Sequence, residues 1–152
     1  MHCWLLISQL KKQNRYLHLA ERLSNSGHWR LDLIKNKLHW SKGIYAIHGV
    51  NRKNYRPTLE SAIAYYLESE QARIRKVIEQ AMADKRGFHF KSTIVNAKGK
   101  RVKVETLGEV ELDEQQQVTG IFGVFKDISK NEEMLEKLKL LAKVHYTIKV
   151  PI

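Results

Sequence analysis

The sequence predicts an α+β domain: a five-stranded antiparallel sheet with helices packed on it and a helix flanking it at each end. Two observations carry that expectation. Near residues 28–40 and 88–128, apolar runs that suit strands are separated by short polar turns, so consecutive strands pair as antiparallel hairpins. Around and between these runs, apolar residues recur at three- and four-residue steps, the period of an amphipathic helix. The order is helix, two strands, short helices, a longer helix, three strands, helix.

Residues 5–23 read as the first helix. Leu6, Leu10, Leu17 and Ala20 share one stripe, with Lys11, Lys12, Arg15 and Arg22 around it. The seven-residue step from Leu10 to Leu17 fits a short coiled-coil seam. Ser24-Asn25-Ser26-Gly27 stops this helix. From His28 to Ile34 the chain alternates. Trp29, Leu31 and Leu33 point one way, and His28, Arg30 and Asp32 the other. Lys35-Asn36-Lys37 turns the chain into a strand beginning Leu38-His39-Trp40, which places His28 and His39 across the hairpin from each other. Ser41 is the expected cap of a helical turn running to His48 and ended by Gly49.

After a polar loop over 51–57, Thr58 is the expected N-cap of a helix. Ser61 stands where a capping box usually has Glu. Leu59, Ile63, Tyr66 and Leu67 share a face. Ser69 is the expected cap of the long helix, which turns Ile74, Val77, Ile78 and Ala81 inward and ends at Gly87 after Lys85 and Arg86. Three strands follow: 88–95, 101–110 and 118–128. In the last, Ile121 to Asp127 is mostly apolar and alternates poorly, which predicts burial on much of both faces. It passes without a spacer into a helix over 131–148, where Met134, Leu138, Leu141 and His145 are spaced as a seam and Leu135 and Leu140 widen it.

Composition narrows the function classes. With 152 residues the chain is about one domain long, and with 43% hydrophobic and 28% charged residues it is ordinary for a globular fold. The net charge of +11 invites an acidic partner, but the basic residues are spread along the chain and no aromatic stacking platform accompanies them, so no nucleic-acid partner is expected. The single cysteine, Cys3, excludes an intramolecular disulfide framework and a cysteine-rich zinc site. Its apolar neighbours, residues 4–7, are too few for a membrane span. A cytoplasmic location is expected, while a full-length protein could still be membrane-anchored. No activated nucleophile, phosphate loop or helical pair of histidines points to catalysis or a metal site.

Several short motifs in sequence order resemble the PAS domain, in its Gly-x-Trp subgroup. They are Ser26-Gly27-His28-Trp29-Arg30-Leu31-Asp32-Leu33, then Leu38-His39-Trp40-Ser41, then Ile47-His48-Gly49. Asn96-Ala97-Lys98-Gly99-Lys100-Arg101-Val102 is similar to the family's Asp-Gly hairpin, with Lys98 in place of Asp. Gly120 to Ser129 is similar to its last strand, with Asp127-Ile128-Ser129 where Asp-Ile-Thr is usual. Leu67-Glu68-Ser69-Glu70 departs from the subgroup's His-Pro-x-Asp and keeps only the acid.

The resemblance implies three parts: an N-terminal helix over 1–23 for capping or dimerisation, a PAS domain over 24–130, and a signalling helix or linker over 131–152. It implies a sensory box of a bacterial signalling protein that is not itself an enzyme, with a diguanylate cyclase or histidine kinase output outside this chain. A small-molecule ligand would sit between sheet and helices, against Tyr45, Ile63, Tyr66, Ile74, Ile78, Phe90, Ser92 and Thr106. The same residues also fit a plain core, and the alternative function is a ligand-free dimerisation module. Asp127, Ile128 and Ser129 would relay the signal, with Asp127 paired to a basic residue such as Arg30 or Arg101. A homodimer would form through Leu10, Leu17, Leu138 and Leu141. The cofactor is left unknown. Covalent flavin-adduct chemistry is excluded because no cysteine follows Cys3. Haem is disfavoured because residues 58–87 hold no histidine, leaving His89 as the nearest axial candidate and Tyr65 or Tyr66 as unusual ones. Non-covalent flavin stays open.

Overall fold

The computed structural model describes the backbone over residues 2–148 and the side chains over 3–144. The side chain of His145 and the end of the 131–152 segment therefore lie outside the described residues. The element order is α1 (His2–Ser24), β1 (Ser26–Asp32), β2 (Lys37–Trp40), α2 (Lys42–His48), α3 (Leu59–Ala64), α4 (Glu68–Asp84), β3 (Phe88–Val95), β4 (Arg101–Leu112), β5 (Val118–Asp127) and α5 (Ser129–Ile148). All five strands form one antiparallel sheet in the order β2-β1-β5-β4-β3. The last strand in sequence is thus the central one. It closes the sheet by joining the first hairpin to the β3–β4 ribbon.

Register sets what faces the core. Leu31 lies opposite Ile121, Thr106 opposite Phe125, and Phe90 opposite Thr106. These side chains meet Ile44 of α2, Ile63 of α3 and Ile74 and Ile78 of α4, all buried. Six residues, Ile44, Ile63, Ile74, Ile94, Val104 and Ile121, are almost fully enclosed. On the strands, Ile94, Val104 and Ile121 are β-branched side chains, which pack stiffly on a pleated surface.

The helices cover one face of the sheet only, which corrects the expectation for β5. Ile121 and Phe125 are buried, but Phe122 is 41% and Val124 46% exposed on the other face, beside Leu107 at 47%. The poor alternation came from apolar residues on the open face, not from cover on both. Both terminal helices leave the sheet rather than closing over it. α1 touches α2 and β1, and α5 touches β4.

Helix ends differ from expectation in instructive ways. The Thr58–Ser61 capping box forms in both directions. Gly49 ends α2 in the left-handed conformation at φ 72°. Ser41 precedes α2 without capping it, because its hydroxyl is spent on Glu21 and on the His28 backbone. Ser69 lies inside α4, which starts at Glu68 after Leu67. Tyr66 bridges Ile94 and the Leu67 N–H donates to the Thr93 carbonyl of β3, so the chain is held extended at 66–67, just before that point. α4 stops at Asp84 because Lys85, not Gly87, takes the left-handed turn. His39 pairs with Arg30, not with His28.

Candidate functional site

Between the sheet and α2–α4 lies a cavity of about 70 Å³. Every strand contributes to its wall, and Ile44, His48, Ile63 and Ile74 close it from the helical side. Six of the eight residues expected there line it: Ile63, Tyr66, Ile74, Ile78, Phe90 and Thr106. Tyr45 does not; it packs edge-on against Trp40, with ring centroids 5.4 Å apart. Ser92 lies opposite Val104 on β4, and its buried Oγ has no hydrogen-bond partner among the described residues.

The wall is apolar with a few placed polar atoms. Tyr66 Oη and Thr106 Oγ1 are 3.3 Å apart, and burial pushes the Tyr66 phenol up to about 12. Trp29 Nε1 is buried and meets no acceptor among the described residues. His48 is 2% exposed and sits between two rings, with centroids 4.3 Å from Trp40 and 5.2 Å from Phe125. Its Nδ1 donates to the Ile44 carbonyl at 2.9 Å, and desolvation pulls its pKa down to about 4 despite that bond. The imidazole is therefore neutral at ordinary pH. Sequence reading used His48 only as a motif residue and read Trp29 and Trp40 as core anchors alone. A usable signal was present, since His48 lies four residues after Ile44, on the buried stripe of α2.

No family model and no curated protein matches the chain. Solved structures do. The N-terminal domain of a diguanylate cyclase with a PAS/PAC sensor from Marinobacter aquaeolei superimposes with a TM-score of 0.65 at 14% identity, over 70% of this chain and 98% of that one. A sensory box histidine kinase/response regulator from Burkholderia thailandensis gives 0.65 at 11% identity, over 86% and 98%. The PAS domain of a protein from Colwellia psychrerythraea gives 0.61 at 16% identity, over 80% and 98%. The chain has the PAS fold.

In this PAS fold the cavity is small. Its 70 Å³ is well below the roughly 300–1,000 Å³ of sites that hold drug-sized ligands. His89 points away from it, on the open face of the sheet, where Nε2 meets Glu105 at 2.8 Å. Cys3 is exposed on α1. Among the described residues, no group of three or more His, Cys, Asp or Glu side chains is arranged to hold a metal ion, and no helix is long and apolar enough to cross a membrane.

The passage from β5 into α5 is built from hydrogen bonds. Asp127 Oδ1 accepts from the Ser129 backbone N–H at 2.9 Å, and Ser129 Oγ accepts from the Lys103 N–H at 3.2 Å. The Ile128 N–H donates to the Lys103 carbonyl, and the Asp127 N–H to the Asn25 carbonyl just after α1. The roots of both terminal helices are thus tied together. Asp127 is not in an ion pair with Arg30 or Arg101. Arg30 instead forms a two-pronged contact with Glu111, at 2.9 and 2.8 Å, and reaches Asp32. The register explains it: Arg30 lies opposite Phe122, and Glu111 opposite Gly120 on the same face, whereas Asp127 is at the far end of β5. Leu10, Leu17, Leu138 and Leu141 are all exposed on the projecting helices.

Proposed function

We propose that the chain is a sensory PAS module of a bacterial signal-transduction protein, not an enzyme. It binds a small molecule in the cavity, pairs with a second copy through Leu10, Leu17, Leu138 and Leu141, and relays occupancy through α5 to a diguanylate cyclase or histidine kinase domain beyond this chain. One observation carries the reading: β5 belongs to the cavity and to the exit at once. Phe125 lines the cavity and stacks on His48, and two residues later Asp127 and Ser129 root α5. A guest that favours one position of Phe125 therefore biases the helix root by its differential affinity for the two states.

A second reading is favoured by the long apolar faces left exposed on α1 and α5: a ligand-free dimerisation module. Native mass spectrometry of the purified chain separates the two. A dimer carrying a small adduct, or one that takes up a small molecule saturably, supports the sensory reading. A dimer that takes up none supports the second, and a monomer with no uptake sinks both.

A further inference from the structure

β3 is an edge strand, with β4 as its one neighbour in the sheet. Along an antiparallel strand the backbone groups of alternate residues point to opposite sides. The odd-numbered residues of β3 point away from β4. The Val95 N–H donates to the Tyr65 carbonyl, the Thr93 carbonyl accepts from the Leu67 N–H, and the Lys91 carbonyl accepts from Arg73 at 3.1 Å. Residues 65–67 and Arg73 thus close the far half of this edge. The near half is open: the His89 N–H, the His89 carbonyl and the Lys91 N–H face outward with no partner among the described residues.

The open half borders a groove of about 460 Å³ between α4 and the start of β3. Val77, Ala81 and Phe88 give the groove buried or half-buried apolar surface, and the exposed Arg73, Lys76 and Arg86 surround it. Arg73 is already paired with Glu70 at 2.8 Å. Lys76 and Arg86 have no ion-pair partner among the described residues. Asp84 is the one acid lining the groove, and its carboxylate accepts from Gln80 at 2.9 Å. A second copy of this edge laid against it would bring Lys91 and Arg73 towards the same cations, and like charges across a strand pair are unfavourable. An acidic strand meets the opposite balance.

We propose that the open edge of β3 docks an extended acidic segment of a partner protein as a sixth strand. Its main chain pairs with His89 and Lys91. Alternate side chains enter the groove beside α4, and the others lie beside His89 and Lys91 on the open face. The open edge is short, so the complex is weak, and its electrostatic part is screened by salt. The docking does not depend on what the cavity holds.

The test titrates the whole chain with a capped Val-Glu-Val-Glu-Val-Glu peptide, followed in a nitrogen–proton correlation spectrum, with Val-Lys-Val-Lys-Val-Lys as the control. The acidic peptide should shift the His89 and Lys91 amides saturably and slow their hydrogen exchange, and the basic peptide should do neither. Lys76→Glu combined with Arg86→Glu should bind about tenfold more weakly, the worth of two exposed charges, and both residues are exposed, so the fold stays intact. Lys91→Pro removes the outward N–H on an edge strand, where proline is tolerated, and Lys91→Ala removes the same charge but keeps that N–H. With amide dispersion showing that both fold, the proline variant should bind about tenfold more weakly than the alanine one, the loss of one ordinary hydrogen bond. Equal binding by those two variants, or saturable binding that leaves His89 and Lys91 exchange unchanged, overturns the strand pairing. Equal binding of the basic peptide overturns the acidic class. Protection of the same two amides that rises with protein concentration and without peptide makes the occupant a second copy and overturns the partner. Linear shifts with both peptides overturn the proposal outright.

Discussion

Acidification should destabilise this domain through one buried imidazole. His48 has its pKa lowered from 6.5 to about 4, chiefly by desolvation, between the rings of Trp40 and Phe125. The folded state resists the proton that the unfolded chain accepts. Its contribution to stability is therefore fully present above pH 6.5 and is lost as pH falls towards 4. The full shift corresponds to about 3 kcal/mol. Between pH 7.5 and pH 5.0 the expected loss is about 2 kcal/mol. Carboxylates titrate over part of the same range, so the measurement is a difference. His48→Phe keeps an aromatic ring in the stack and removes the titration. Its lost bond to the Ile44 carbonyl gives an offset that does not depend on pH. Urea unfolding of both proteins at the two pH values should show the native chain losing about 2 kcal/mol relative to the variant. Parallel pH profiles would refute the reasoning and mean that His48 is protonated in place or reached by water.

Three further perturbations test other parts of the fold. Asp127→Ala removes the acceptor for the Ser129 N–H and should cost about 1 kcal/mol, with faster amide exchange in the first turn of α5. Asp127→Asn keeps an acceptor and should recover most of the loss, and if it does not, the charge matters more than the bond. Leu138→Asp combined with Leu141→Asp should give monomers in sedimentation without lowering the melting temperature, since both residues are exposed; an unchanged dimer moves the interface to Leu10 and Leu17. Gly123→Ala should be severe, on the order of 4 kcal/mol by thermal or urea unfolding, because an added Cβ would overlap the Leu107 carbonyl oxygen; a variant of native stability would show that β4 and β5 can part there without loss.

Much of this fold was legible because its signals are local. Alternation in β1, the Thr58–Ser61 box and the Gly49 stop each depend on a few adjacent residues. The misplaced features depend on partners distant in sequence. Ser69 looks like a cap until β3 holds Tyr66 and Leu67 in extended form. Arg30 looks available to Asp127 until register places Glu111 beside it, 81 residues away. Burial of β5 could not be read from its own composition, because an apolar strand looks the same with one covered face or two. The cavity shows the same limit. The resemblance to a known family pointed to six of its wall residues, but Trp29, Trp40 and His48 reach it only through the closing of the sheet around β5.

The two projecting helices are held differently from the core. α2, α3 and α4 each bury isoleucines against the sheet. α1 instead buries one carboxylate. Glu21 is 6% exposed, and its Oε2 accepts from Ser41 Oγ at 3.0 Å and lies 3.2 Å from His28 Nδ1, while its Oε1 is buried with no partner among the described residues. α5 is rooted by Asp127, Ser129 and Lys103 in the same polar manner. Each such bond is worth about 1 kcal/mol net, against roughly 2–5 kcal/mol for truncating a buried isoleucine to alanine. Re-aiming a terminal helix thus costs far less than disturbing the core. Coupling between sites typically amounts to about 1–3 kcal/mol. That is enough to exchange one or two of these bonds and too little to repack α4. The Asn25–Asp127 hydrogen bond joins the two roots.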